Sequence, residues 1–168
     1  MSLFMPGAFY FLKDEFYEEF ADEPLMENKN EQDGALHGRP CYFAFRDSQT
    51  GLAWMIPISS RIQKFHALEH KIVKRYGRCD TIKFSEMLGA EKAFLLQNMF
   101  PVDEKWIECE YVSNGIPVRT ENNFAAYLKK TASNLIALER RGIKVVFPNI
   151  VAMEKCQLSN NSENGTNS

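Results

Sequence analysis

The sequence predicts an α+β fold: a compact, mostly antiparallel, barrel-like sheet with helices packed on it. Three observations lead there. Two uninterrupted apolar runs, Cys41-Tyr42-Phe43-Ala44-Phe45 and Leu52-Ala53-Trp54-Met55-Ile56, flank the turn-forming Asp47-Ser48-Gln49-Thr50-Gly51, a β-hairpin signature. Just beyond, apolar residues recur at helical spacing: Ile62, Phe65, Leu68, Ile72, Val73 and Tyr76. Strands and helices do not alternate as regular βαβ units, and no internal repeat is visible.

In chain order, Phe9-Tyr10-Phe11-Leu12 reads as an aromatic-rich first strand. Phe16, Tyr17 and Phe20 then mark a short helix. Residues 22–38 are polar, with Gly34 and Gly38, and read as a long mobile loop. Neither strand of the hairpin alternates cleanly, so both its faces are expected to be covered. Pro57 lacks an N–H, so the second strand should end there or run along an edge. The helix after it should stop at Gly77. Two further strands are expected at Thr81–Phe84 and Ala93–Leu96, and a short helix over Asp103–Glu110. A long helix carries Phe124, Tyr127, Leu128, Leu135 and Leu138 and ends at Gly142, and Lys144–Phe147 returns as a strand. One domain over residues 1–156 and a disordered Asn/Ser-rich tail over 157–168 complete the layout.

The chain has 168 residues, 45% hydrophobic and 25% charged, enough for a real core without disulfides. Cys41, Cys79, Cys109 and Cys156 are scattered, with no CxxC or Cys/His cluster for zinc. Reduced thiols in a cytoplasm are the expectation. The apolar Met1–Tyr10 lacks the basic flank of a signal peptide, and no run approaches membrane-spanning length.

Net charge is −2, which by itself argues against a nucleic-acid partner. Its distribution argues otherwise. Residues 13–33 carry nine acids and two bases, whereas 61–83 carry seven bases against two acids and 119–144 six bases against two acids. A basic footprint can therefore sit on an acidic protein. Either basic stretch taken alone also fits a solvated helix face.

The stretch able to carry chemistry is Ile56-Pro57-Ile58-Ser59-Ser60-Arg61-Ile62-Gln63-Lys64-Phe65-His66. Ser60 and Gln63 have capping-box spacing, placing Ser60 at a helix N-cap with free first-turn amides beyond it. Such amides bind phosphate, and Lys64, about one turn on, can reach the same anion. The same pattern also describes a plain capped helix with a solvated lysine. His66 and His70 share a face but lack the HExxH context of a zinc pair. On a regular helix Lys64 and His66 diverge by about 200°, so one pocket would not hold both. A histidine beside an apolar stripe can equally be packed or exposed. There is no Walker loop, GxSxG or GxGxxG, and no carboxylate cluster for a Mg²⁺ nuclease centre.

At these residues the sequence resembles the ToxN/AbiQ family of type III toxin–antitoxin toxins, its CptN branch most closely. The resemblance covers most of residues 9–150. It rests on Phe9-Tyr10 with Leu12 and Phe16/Tyr17, on Arg39-Pro40 leading into the hairpin, and on Ile56-Pro57-Ile58-Ser59-Ser60 followed by Lys64. It implies a fold akin to the MazF/Kid endoribonucleases and metal-independent RNA cleavage leaving 2′,3′-cyclic phosphate and 5′-hydroxyl ends. It further implies inhibition by a short repeated RNA pseudoknot, which the toxin also processes, in a closed protein–RNA oligomer. No metal or cofactor is implied. Ser59, Ser60 and Lys64 match the active-site pattern. In some members the lysine follows the serines by two residues, whereas here Arg61-Ile62-Gln63 intervenes. An active-site tyrosine of the family falls at Phe16 or Tyr17.

In this reading Ser60, the helix amides and Lys64 stabilise the phosphorane charge, Ser59 orders an oxygen of the substrate, and His66 is the candidate for proton transfer by its intrinsic pKa. Tyr10 and Tyr17 would stack on unpaired bases, with Tyr42 assigned to the core. Lys13, Arg39, Arg61, Lys71, Lys74, Arg75, Arg78, Lys129, Lys130, Arg140 and Arg141 would contact RNA phosphates. Two other readings use the same residues: a non-catalytic RNA-binding module, and a structural or protein-interaction domain whose basic patches are only solvated.

Overall fold

In chain order the elements are β1 (Phe9–Leu12), α1 (Asp14–Glu19), β2 (Lys29–Gln32), β3 (Ala35–Gly38), β4 (Cys41–Arg46), β5 (Ala53–Ser59), α2 (Ile62–Tyr76), β6 (Ile82–Met87), β7 (Ala90–Leu95), β8 (Phe100–Val102), β9 (Ile107–Glu110), β10 (Val112–Ser113), β11 (Ile116–Pro117), α3 (Asn122–Arg140) and α4 (Ile150–Asn164). This computed structural model describes residues 4–26, 29–32 and 35–165. The α+β class is the one expected. The main sheet runs β6-β7-β5-β4-β1-β9, with β8 paired to β5, and every pairing in it is antiparallel. It is open rather than barrel-like, since β6 and β9 are not joined.

The continuous apolar strands have a simple cause. Tyr42, Ala44, Trp54, Ile56 and Ile58 point to one face, where Leu128, Ala132, Leu135 and Ile136 of α3 cover them with Val146 and Ile150. Cys41, Phe43, Ala53 and Met55 point to the other, beneath Phe16 and Phe20, with Phe100, Val102 and Met153 of α4. Each large side chain so buried contributes roughly 1.5–3 kcal/mol. A third cluster seats α2 through Phe65 on Ile82, Ala93 and Leu95 of β6–β7.

The hairpin turn is an Asx-type turn. Asp47 Oδ1 accepts from the Gln49 amide at 2.8 Å, and its carbonyl accepts from Gly51, whose φ of +74° needs a glycine.

Several expectations give way. Pro57 neither ends β5 nor lies on an edge. It pairs with Cys41 and falls where β5 changes its other neighbour, from β8 at Met55 to β7 at Ile58. Within 22–38, residues 22–26 are irregular as expected, whereas β2 and β3 pair as a separate two-stranded sheet; 27, 28, 33 and 34 lie outside the described residues. Glu104–Trp106 is a single tight turn, and β9 replaces the rest of the expected helix. Lys144–Phe147 is irregular: Glu139 Oε1 accepts from the Val145 and Val146 amides at 2.7 and 2.8 Å, taking them from any ladder. The Asn/Ser-rich segment from Gln157, expected to be disordered, continues α4 to Asn164. Its anchor is Gln157, buried, which accepts from the Asp103 amide at 2.7 Å and donates to the Pro101 carbonyl at 2.9 Å.

Candidate functional site

β5 emerges from the sheet at Ser59 and α2 begins three residues later, so residues 59–64 form the junction between a buried strand and a surface helix. Ser60 is not the N-cap. That position belongs to Arg61, and no side chain caps the helix. Ser59, only 5% exposed, accepts from the Arg61 amide at 3.2 Å, and the Ser60 carbonyl accepts from Ile62 at 2.8 Å. The chain turns on Ser59 and leaves Ser60 exposed. The capping box fails because the helix starts one residue later than its spacing assumes, with Arg61 at the N-cap.

Ser60, Arg61, Ile62, Gln63 and Lys64 line one shallow pocket of about 470 Å³. The Gln63 and Lys64 amides lie in the first turn, where a helix has no acceptor of its own. Lys64 is exposed, its ammonium 5.4 Å from the Phe65 ring centroid. The Ser60 hydroxyl, first-turn amides and two cations at one strand-to-helix junction can hold and polarise a phosphate.

The structure does not bring His66 to this pocket. Its ring stacks on Phe84 of β6 with centroids 3.8 Å apart, and Nε2 lies 3.0 Å from Oε1 of Glu91 on β7. The helical divergence of Lys64 and His66 is realised: one faces the pocket, the other the sheet.

Arg39 lies beside the junction, donating to the Ile58 carbonyl at 3.4 Å. Below it the Tyr17 hydroxyl meets the Cys41 thiol at 3.9 Å. Burial raises the tyrosine pKa above its ordinary value, and burial pushes the thiol up to about 12. Both are neutral groups, and Tyr17 is half-buried, packed edge-on to Phe16. Tyr10 is a core residue, 2% exposed, its hydroxyl accepting from the Met5 amide and its ring edge-on to Phe43. Tyr42 is in the core as expected.

Of the cations, Lys13, Arg61, Lys71, Lys74, Arg75, Arg78, Lys129, Lys130 and Arg141 are exposed. Arg140 is exposed as well, but its guanidinium is already engaged. It pairs with Asp47 at 2.6 Å and with Glu154, two carboxylates that are 8% and 9% exposed. Burial pushes the Asp47 carboxyl up, but hydrogen bonds from Arg140 and the Gln49 amide outweigh it and hold the group below its ordinary value. The neighbours Lys129 and Lys130 part company. Lys129 faces the β4–β5 turn, and Lys130 lines a groove with Arg78 and Tyr127. The helical stripe assigns Tyr127 to the core, yet it is 43% exposed. Sequence reasoning also misses Gln63 in the pocket and Glu91 beside His66. The one usable signal is Gln63's place in the first turn.

Among the described residues no three His, Cys, Asp or Glu side chains converge as metal ligands, and no helix is long and apolar enough to cross a membrane.

No family model matches the chain, and no curated protein is similar to it in sequence. Its fold is found among solved structures. One, from a bacterial antiviral system regulated by a processed non-coding RNA, superposes with a TM-score of 0.61 at 16% identity, covering 88% of this chain and 95% of that one.

Proposed function

We propose that the chain is the toxin of a type III toxin–antitoxin system: a cytoplasmic, metal-independent endoribonuclease held inactive by a repeated pseudoknot RNA that it also processes. The observation that carries this reading is the Ser60–Lys64 pocket at the β5–α2 junction. It holds the residues of the toxin-like motif on a fold shared with a protein of an RNA-regulated antiviral system.

In the proposed reaction the ribose 2′-oxygen attacks the adjacent phosphorus. The 2′-O–P bond forms as the 2′-hydroxyl gives its proton to water, and the P–O5′ bond breaks as the departing oxygen takes a proton from water, leaving a cyclic phosphate and a 5′-hydroxyl. Negative charge builds on the nonbridging oxygens. In this reading Lys64, the Ser60 hydroxyl and the first-turn amides supply the donors that stabilise that charge. Ser59 is tied to the Arg61 amide, so its part is to fix the turn. Arg39 and Arg61 flank the path of the RNA backbone.

Purified protein should cut a long RNA in EDTA. Lys64→Ala should slow single-turnover cleavage by about a hundredfold, the worth of one donor at a developing oxyanion. Its folding free energy should change by about 0.5 kcal/mol or less, because the side chain is exposed. Ser60 does not cap α2, so Ser60→Ala should fold normally and still lose activity. Parental rates in both variants, or strict Mg²⁺ dependence of the cut, would sink the reading.

A further inference from the structure

We propose that the groove between the residues following α2 and the outer face of α3 is a second RNA site, which holds unpaired nucleotides by stacking on Tyr127. The inference rests on the RNA reading above and concerns a different surface. α2 is 15 residues long, so its two ends lie about 22 Å apart. The Ser60–Lys64 pocket is at one end, and Arg78 follows the other.

The groove has a volume of about 480 Å³ and is lined by Arg78, Asp80, Tyr127, Lys130, Asn134 and Leu138, among others. Its size suits one nucleoside. Tyr127 is a large aromatic ring left 43% exposed on a helix whose neighbouring Leu128 is fully buried. Lys83 sets its ammonium 5.1 Å from the ring centroid and is held there by the Cys79 carbonyl at 2.8 Å. A second aromatic–cation pair stands nearby at the end of α2, where Arg75 lies 5.2 Å from the centroid of the exposed Tyr76. Arg78 is paired with Asp80 at 2.6 Å yet remains 77% exposed, so it can still meet a phosphate.

Cations alone would suit any polyanion. An exposed ring over an apolar floor, between cations, with the Asn134 amide group alongside, suits a base and its phosphates together. Duplex RNA hides its base faces, so the groove selects unpaired nucleotides. An acidic peptide would use the cations and gain little from the ring.

The test uses the full chain and a short 2′-O-methyl oligoribonucleotide, which cannot be cut by 2′-oxygen attack, carrying one 2-aminopurine. Its fluorescence should be quenched on binding as the base stacks. Tyr127→Ala should abolish the quench and weaken binding about tenfold, whereas Tyr127→Phe should preserve both. Lys130→Ala should weaken binding and keep the quench. Unchanged affinity and quench in Tyr127→Ala would overturn the groove, as would displacement of the oligonucleotide by polyglutamate with equal potency in the parent and in Tyr127→Ala. The two readings fail separately. Intact RNA after incubation with a protein that still shows the Tyr127-dependent quench removes the nuclease alone. Cleavage without Tyr127 dependence removes the groove alone.

Discussion

The two basic stretches of this chain look alike on paper and meet different ends in space. From 61 to 83 the cations are spread along α2 and the loop beyond it, and most stay in solvent. From 119 to 144 they are divided. Arg119 pairs with Glu110, Arg140 is drawn between Asp47 and Glu154, and Lys144 donates to the carbonyls of Phe147 and Pro148. All six, Lys129, Lys130 and Arg141 included, are exposed, so what divides them is engagement with a partner and not burial. Counting bases along a sequence measures charge but not availability. The partners that neutralise a cation come from other elements, and Asp47 is 93 residues from Arg140.

The comparison breaks most visibly at Arg140. Arg140→Ala leaves two nearly buried carboxylates without their partner and should destabilise the fold by about 3 kcal/mol, read as a lowered denaturation midpoint. RNA affinity, measured well below that midpoint, should not move. A variant that folds normally and binds RNA poorly would return Arg140 to the interface.

Next in size is the α2 face. Lys74→Glu with Arg75→Glu should weaken RNA binding about tenfold or more. The slope of log affinity against log salt should fall by roughly 0.7 for each single-strand phosphate that the variant no longer neutralises. An unchanged slope would move the RNA off α2.

The smallest effect is in pH. Asp47 titrates below its ordinary value in the fold. Its contribution is therefore fully present above the unfolded carboxyl pKa of about 3.9 and is lost as pH falls through the lower folded value. The stability gap between the parent and Asp47→Asn should narrow as pH falls from 7 through the carboxyl range. A gap that stays constant would mean that the ion pair adds nothing beyond a neutral hydrogen bond.

Much of the scaffold is legible in the sequence because burial writes itself into spacing. The unbroken β4 and β5 runs announce two covered faces, and the apolar stripes mark α2 and α3. The misreadings share a cause: tertiary contacts override local composition. Gln157 and Met153 hold a polar segment as helix by gripping β8 and the second core, and nothing local announces that. β8 is three residues long with Pro101 at its centre, below any pattern threshold. At the site, Ser59, Ser60 and Lys64 are found by motif, and the separation of Lys64 from His66 by helical geometry alone. The burial of Tyr10 and the exposure of Tyr127 depend on neighbours distant in sequence.

The two-faced hairpin has a consequence for the unfolded chain. Cys41–Phe45 and Leu52–Ile56 contain no charged residue, so before folding they are the segments most able to zip onto copies of themselves. The residues at their ends act as gatekeepers. Arg39 and Pro40 precede the first run, Arg46 and Asp47 follow it, and Pro57 closes the second. A proline has no N–H to offer an incoming strand, and like charges stacked in register repel. Arg39, which the finished fold keeps beside the β5–α2 junction, and Pro57, which it buries within β5, thus also guard the nascent hairpin against aggregation.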